Sequence, residues 1–330
     1  MCIAILSTTH PHYRFILINN RDGYLSRPTS PATWWPIPNT QVLGARDLAR
    51  PAHGTWLGIT THGRFAVLTN CLETDCARAV GGKEPRGIIN RWLTSPSTLS
   101  GTQTDGVVGF VSGLQRNGEL DGVGGFNLLL GDISQPESES ESESGRVVII
   151  SNGSPAIDRD CCNNGNISVL RIGTEPDQTL TLSNMTLGED HNPTTLWKKI
   201  SLGETLTSQA IPTSLQEHED EDSLIERLFS VLSTDTLPRI PGEEGVAAEK
   251  YLGLLRESIF IPVIGEAVEG EATSSYMEGL YGTQTQTVVL IGYDGRVRYV
   301  ARTLYDEDGR PKDLDERDRS FECWTKRGSR

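Results

Sequence analysis

Methionine is scarce, at three residues in 330, so there is no Met-rich surface of the kind that adapts to many partners. Basic residues are also in the minority, with 30 Lys and Arg against 44 Asp and Glu. The resulting net charge of -14 argues against nucleic acid or an anionic membrane as a partner, because phosphate binding needs a basic surface. No run approaches the ~18 uncharged apolar residues that suggest a membrane-spanning helix, and the mean hydropathy is -0.33. An integral membrane segment is therefore not expected. The opening lacks a basic n-region and reaches Arg14 after a short apolar run, which argues against a secretory signal peptide. Neither G-x-G-x-x-G nor G-x-x-x-x-G-K-[ST] occurs, which removes the usual dinucleotide and P-loop readings. The six cysteines, Cys2, Cys71, Cys76, Cys161, Cys162 and Cys323, contain no C-x-x-C pair. That excludes a zinc knuckle, a thioredoxin-type motif and covalent haem attachment, and free thiols in a reducing compartment are expected. Cys71 and Cys76 read as two unrelated thiols rather than as a metal pair, and no metal site is expected.

What is present starts at the first residues. Ile3-Ala4-Ile5-Leu6 and Phe15-Ile16-Leu17-Ile18 flank the turn-prone Thr8-Thr9-His10-Pro11-His12, which predicts a β-hairpin centred near Pro11. Antiparallel partners have a constant index sum, so residue 2 is expected opposite roughly residue 20, with Cys2 facing Asn19-Asn20-Arg21-Asp22. Cysteine is small enough at position 2 for the initiator Met to be removed. Removal would place a free α-amine beside the Cys2 thiol, a nucleophile with a built-in base. A guanidinium beside that thiol gives it a reason to ionise near neutral pH. Strict alternation, however, puts Arg21 and Asp22 on opposite faces of their strand, so both serve one site only if one acts from a bulge.

Further along, four prolines around Trp34-Trp35 between Gly23 and Asn39 predict a surface loop with buried aromatics. Gly54 to Thr60 and Gly63 to Asn70 predict a hairpin across Thr61-His62-Gly63, with Asn70 at a strand end. Ile88, Ile89, Trp92 and Leu93 predict a helix between Pro85 and Pro96. Val107 to Ser112, Phe126 to Asp132, Arg146 to Gly153, Ile167 to Ile172 and Thr179 to Asn184 read as strands. The acidic Ser/Glu repeat at 135–145 cannot bury anything and reads as a disordered loop insertion at a hairpin tip. Trp197-Lys198-Lys199-Ile200 opens a helix. Ser223-Leu224-Ile225-Glu226 has the form of a capping box before a second, and Ala247 to Ile259 is a third helix candidate. Asp294-Gly295 between two β-type runs is the clearest hairpin signal, and residues 305–330 read as a charged C-terminal extension. Strands, helix, strands, helices, strands is the order of an α+β domain of antiparallel sheets with helices on their outer faces, here one domain over 1–330.

Cys2, Asn20-Arg21-Asp22, Gly54-Thr55-Trp56-Leu57-Gly58, Ala66-Val67-Leu68-Thr69-Asn70, Phe126-Asn127-Leu128-Leu129, Leu182-Ser183-Asn184, Trp197-Lys198-Lys199 and Tyr281-Gly282-Thr283 occur in that order. Together they resemble the NRDE-motif family, also called the transport and Golgi organisation family, across nearly the whole chain. Two positions depart from its pattern: Gly23 stands where an acidic residue is usual, and Gln284 where Arg is often found. That family in turn looks like N-terminal-nucleophile cysteine hydrolases such as penicillin V acylase and bile salt hydrolase. The resemblance implies an αββα four-layer sandwich of two mainly antiparallel sheets. It implies Cys2 as nucleophile, Arg21 and Asp22 orienting the amine-thiol pair, and Asn70 and Asn184 as oxyanion donors.

Two functions follow from the resemblance. The first is a role in secretory and Golgi organisation and in haem or lipid-metabolite homeostasis, through a pocket that binds without turnover. It requires no cofactor, takes haem or an acyl metabolite as its ligand, and sits in the cytoplasm in association with the Golgi or mitochondria. The second is an amidohydrolase or acyltransferase acting on linear, non-peptide C–N bonds. The plainer reading of the same residues makes Cys2 a small buried side chain at the start of a core strand and Arg21-Asp22 a stabilising ion pair.

Overall fold

A computed structural model describes residues 1–37, 40–71, 86–95, 106–117, 119–120, 123–133, 147–151, 168–172, 177–185, 197–239, 251, 253–266 and 279–325. The strands are β1 (Ile3–Ser7), β2 (Tyr13–Tyr24), β3 (Thr33–Ile37), β4 (Thr40–Gly44), β5 (Leu57–Thr60), β6 (Arg64–Asn70) and β7 (Phe126–Asp132). They continue with β8 (Val147–Ser151), β9 (Ser168–Ile172), β10 (Thr179–Ser183), β11 (Tyr281–Gly292), β12 (Arg296–Thr303) and β13 (Asp318–Trp324). The helices are α1 (Arg86–Thr94), α2 (Val107–Arg116), α3 (Lys198–Gln216), α4 (Glu221–Leu232) and the single-turn α5 (Leu314–Arg317).

Two sheets form, one of six strands in the order β10-β1-β2-β11-β12-β13 and one of seven in the order β3 to β9. Every ladder in both is antiparallel. The pleat sorts alternate residues into two layers. Ala4, Leu6, Phe15 and Leu17 of the first sheet meet Trp56, Phe65, Val67 and Leu129 of the second in a core between the sheets. Ile3, Ile5, Ile16 and Ile18 point the other way, onto Ile211, Leu228 and Phe229 of α3 and α4. Ala66, Leu68, Leu128 and Leu130 likewise pack against Ile89, Trp92 and Val111 of α1 and α2. The layers are therefore helix, sheet, sheet, helix. Both faces of the central strands are covered, which explains their uninterrupted apolar runs.

Several expectations are corrected by packing. Val107 to Ser112 is not a strand but the first part of α2, whose Val107, Val111 and Leu114 recur at helical spacing and are buried. A short apolar run does not by itself distinguish the two. The proline-rich loop contains β3, which ends the seven-stranded sheet, where Pro36 is tolerated because an edge strand has a free side. Trp35 is buried there and its Nε1 donates to the Gly44 carbonyl at 2.9 Å. The N-cap of α4 is Asp220, whose carboxylate accepts from Ser223 N at 2.8 Å, so Ser223 is the third helical residue rather than the cap. Of the helix expected over Ala247 to Ile259, residues 247–250 and 252 lie outside the described residues, Tyr251 is helical and 253–257 form turns. The C-terminal extension supplies β13, which pairs with β12 as a sheet edge. In the opening hairpin Ile3 pairs with Asn20, an index sum of 23, one residue beyond the expected register. The acidic repeat lies outside the described residues, as do Cys76, Cys161 and Cys162.

Gly131 faces Phe65 across the β6–β7 ladder, and a Cβ at residue 131 would run into the Phe65 ring. Gly131→Ala is expected to destabilise the fold by about 1–3 kcal/mol through overpacking. Urea denaturation checks this, with a lower midpoint at unchanged slope as the expected result.

Candidate functional site

The site forms where the chain start meets the ends of both sheets. β1 lies between β10 and β2, and its backbone direction delivers Cys2 and Met1 past the last ladder pairs, Ile3 with Ser183 and Ile3 with Asn20. Ser183 Oγ donates to the Cys2 carbonyl at 2.8 Å. The other sheet fixes Ser183 in turn: Thr69 Oγ1 and Asn127 Nδ2 donate to its carbonyl at 2.9 and 2.8 Å. Asn127 also donates to the Met185 carbonyl at 2.7 Å, so it grips the backbone on either side of Asn184.

Asp22 is the hub. Its Oδ2 lies 3.2 Å from the Met1 ammonium, and its side chain is fully buried. Thr283 Oγ1 donates to Oδ1 at 2.8 Å while accepting from Ile261 N at 2.9 Å, which locks the carboxylate's orientation. The Met1 ammonium also donates to the Tyr281 hydroxyl, and the Lys199 Nζ donates to the Met1 carbonyl. Cys2 Sγ lies 3.7 Å from the Asp22 carbonyl oxygen. Around one carboxylate, then, stand a thiol, a terminal amine, a phenol and a lysine.

Alternation holds along β2, and the bulge falls on its neighbour. The β2–β11 register shifts between Thr283 and Thr285, which leaves Gln284 as the extra residue. Asp22 meets Thr283 on the helix-facing side. Arg21 turns to the inner side, where its Nη1 donates to Gln284 Oε1 and its guanidinium lies 5.4 Å from the Trp56 ring centre. Gln284, standing where a cation is often found, serves as an acceptor for Arg21. Gly23 lies beside the same guanidinium, where a Cβ would make an ordinary contact at 3.4 Å.

Burial sets the electrostatics. It lowers the pKa of the Met1 amine, opposed by the attraction of Asp22. Desolvation also pulls the Lys199 amine down, against the attraction of Asp22 and Cys2. The position of Lys199 in the first turn of α3, at the positive end of the helix dipole, acts in the same direction. Tyr281 is pushed well above its ordinary value by burial and by the negative charge of Asp22 and Cys2.

Among the residues singled out in the sequence, Cys2 and Asp22 come together, and Arg21 sits beside them on the opposite face of β2. Asn184 is half-buried just past β10, and its Oδ1 has no hydrogen-bond partner among the described residues. Asn70 is exposed at the end of β6, opposite Phe126. His10 and His12 belong to the β1–β2 turn at the far end of the hairpin, where the His12 backbone N donates to His10 Nδ1 at 3.1 Å. Lys199, Tyr281, Thr283, Ser183 and Asn127 were not singled out for roles. Only Lys199 carries a readable signal: it falls in line with Gly203, Thr207 and Ile211 on the buried stripe of α3, where a lysine is out of place.

The family described as Transport and Golgi organisation 2 matches residues 1–306. The chain belongs to that family. An uncharacterized protein of Saccharomyces cerevisiae is 25% identical over 318 residues, covering 93% of each chain. The transport and Golgi organization protein 2 homologs of Bos taurus and Homo sapiens are 29% and 28% identical, each covering 90% of this chain and 88% of its relative. Among solved structures, a variant of conjugated bile acid hydrolase from Clostridium perfringens is similar at a TM-score of 0.42. It is 12% identical and covers 100% of this chain and 99% of that one. A Caenorhabditis elegans N-acylethanolamine-hydrolyzing acid amidase ortholog has a TM-score of 0.39 and 13% identity, covering 69% of this chain and 85% of that one.

Lys199 gives the site a measurable signature. Its lowered folded pKa means the unfolded chain binds more protons between that value and the ordinary lysine value. Stability from this group therefore rises with pH across that window. Lys199→Met, which keeps the stem and removes the amine, is expected to flatten the rise on the approach to the ordinary lysine value. Denaturant midpoints of both proteins across that range check it, and equal slopes would remove Lys199 from the titrating set.

Proposed function

We propose that the protein serves secretory and Golgi organisation by binding an acyl-bearing lipid metabolite at the site around Cys2, after removal of Met1. One observation carries this reading: the buried Lys199 amine donates to a carbonyl oxygen, that of Met1, on the residue next to the Cys2 thiol. A buried donor aimed at an acyl oxygen beside a thiol suits a thioester or amide better than a porphyrin. Haem is the competing ligand, and Cys2 is the residue that would hold its iron. None of the described helices is long and apolar enough to cross a membrane. In this reading the protein works from the cytoplasm, in association with the Golgi or mitochondria.

A second reading is hydrolysis or acyl transfer at the same site, favoured by the pairing of Asp22 with the terminal amine. Once Met1 is gone, the Cys2 amine would take the thiol proton as the sulfur attacks a carbonyl carbon. The C–N bond would break, the leaving amine would receive that proton, and water or an acceptor amine would release the acyl group from sulfur. Asn70 and Asn184 would donate to the oxyanion, provided ligand binding brings them onto it.

Intact-mass measurement of purified protein decides the first requirement, with loss of Met1 as the expected result. Calorimetry of the Met1-free protein with a long-chain acyl thioester and, separately, with hemin then tests the ligand. The thioester is expected to bind, and Lys199→Met to weaken it by about tenfold, the loss of one buried donor. Binding of hemin alone would overturn the reading. Release of free acid, abolished in Cys2→Ser, would establish turnover.

A further inference from the structure

Met1 is held in this structure at three points, as a ligand would be. Its ammonium meets Asp22 Oδ2 and the Tyr281 hydroxyl, and its carbonyl oxygen accepts from Lys199. Its side chain is 10% exposed and packs on a small apolar cluster that includes Leu255 and Ile261. Asp22 Oδ2, Lys199 and Tyr281 are all buried or half-buried. Asp22 Oδ2 is compensated by the charge of the Met1 amine at 3.2 Å and by the attraction of Lys199.

Removal of Met1 would pass the terminal charge to Cys2 and take an acceptor from Lys199, leaving an apolar recess beside Asp22. The freed Cys2 amine can donate to Asp22 but cannot supply the acceptor that Lys199 loses, and a buried donor without an acceptor is unfavourable. An occupant that reproduces the contacts Met1 makes carries an ammonium and a carbonyl oxygen on adjacent carbons, with an unbranched apolar side chain. We propose that this recess is a recognition subsite for an α-aminoacyl group, with Asp22 and Tyr281 reading the ammonium and Lys199 the carbonyl oxygen. The inference rests on the acyl-binding reading above and narrows it. It distinguishes an aminoacyl compound from a plain fatty acyl one by the ammonium that Asp22 and Tyr281 contact.

The test compares matched ligands on the full chain with Cys2 exposed as its first residue by cleavage of a leader, confirmed by intact mass. L-Norleucine amide and hexanamide differ only in the α-amine, and calorimetry at pH 7 reads both. L-Norleucine amide is expected to bind about tenfold tighter or better, the effect of one charge-assisted contact. Asp22→Asn is expected to bring the two ligands together. The chain that retains Met1 is expected to bind neither. Equal affinity for the two amides in the unsubstituted protein would overturn the proposal, whatever the fate of the Asp22 variant. So would equal binding of L-norleucine amide by the Met1-bearing chain, because the recess is then not the site. If neither amide binds while a long-chain acyl thioester does, the aminoacyl subsite fails and the acyl-binding reading stands. If none of the three binds, both fail.

Discussion

The placement of β1 governs the rest of the molecule. This five-residue strand has a partner on each side and a covering layer on each face, so its register is fixed in both directions. A slip of one residue would turn Ala4 and Leu6 toward the helices and Ile3 and Ile5 toward the second sheet, which neither layer's packing accommodates. Because β1 cannot slip, the residues preceding it have one position available. The position of Cys2 follows from packing that lies entirely downstream of it.

That fixed position explains why so much polar chemistry is tolerated below the surface. A buried carboxylate, a buried lysine and a chain terminus would each be unfavourable alone. Grouped around Asp22 they compensate one another in part, and Thr283 and Ile261 complete the geometry through ordinary neutral hydrogen bonds. Replacing such a group with apolar side chains is commonly neutral or stabilising. Its presence in an otherwise apolar sandwich is therefore not explained by stability alone, which is why the proposed function is placed there. The extra residue at Gln284 has a related effect: by displacing the register of β11, it gives adjacent residues of β2 separate partners on the two faces of the sheet.

Much of the fold was legible because local and tertiary signals agree. Asp294-Gly295 closes the β11–β12 hairpin with Gly295 at φ +85, and Gly63 does the same at φ +90 before β6. The stripe through Ile88, Ile89, Trp92 and Leu93 reads as α1 because its period matches the face it buries. Where signals were short or polar, tertiary context decided. The first residues of α2 look like a strand, and β13 looks like a solvated tail because its edge position requires little apolar surface. Of the site, Cys2 and Asp22 were visible through proximity in one hairpin. Lys199 and Tyr281 stood in the sequence as parts of motifs, but their contacts were not legible, since 198 and 280 residues separate them from the terminus they reach. Asn127 was visible as part of a motif, but its grip on the backbone around Asn184 depends on how the two sheets meet.

The distance in sequence between Met1 and Tyr281 also has a meaning in time. The recess around the first residue closes only after β11 has been made, 280 residues later. At synthesis rates of roughly 5–20 residues per second, about 14 to 56 s pass during which the amino terminus is outside the ribosome and the strand that will bury it does not exist. Any enzyme that trims or acetylates the terminus acts in that interval, on an open chain. Afterwards Asp22, Tyr281 and Lys199 enclose it. The contacts that bury the first residue are thus among the last the chain can make.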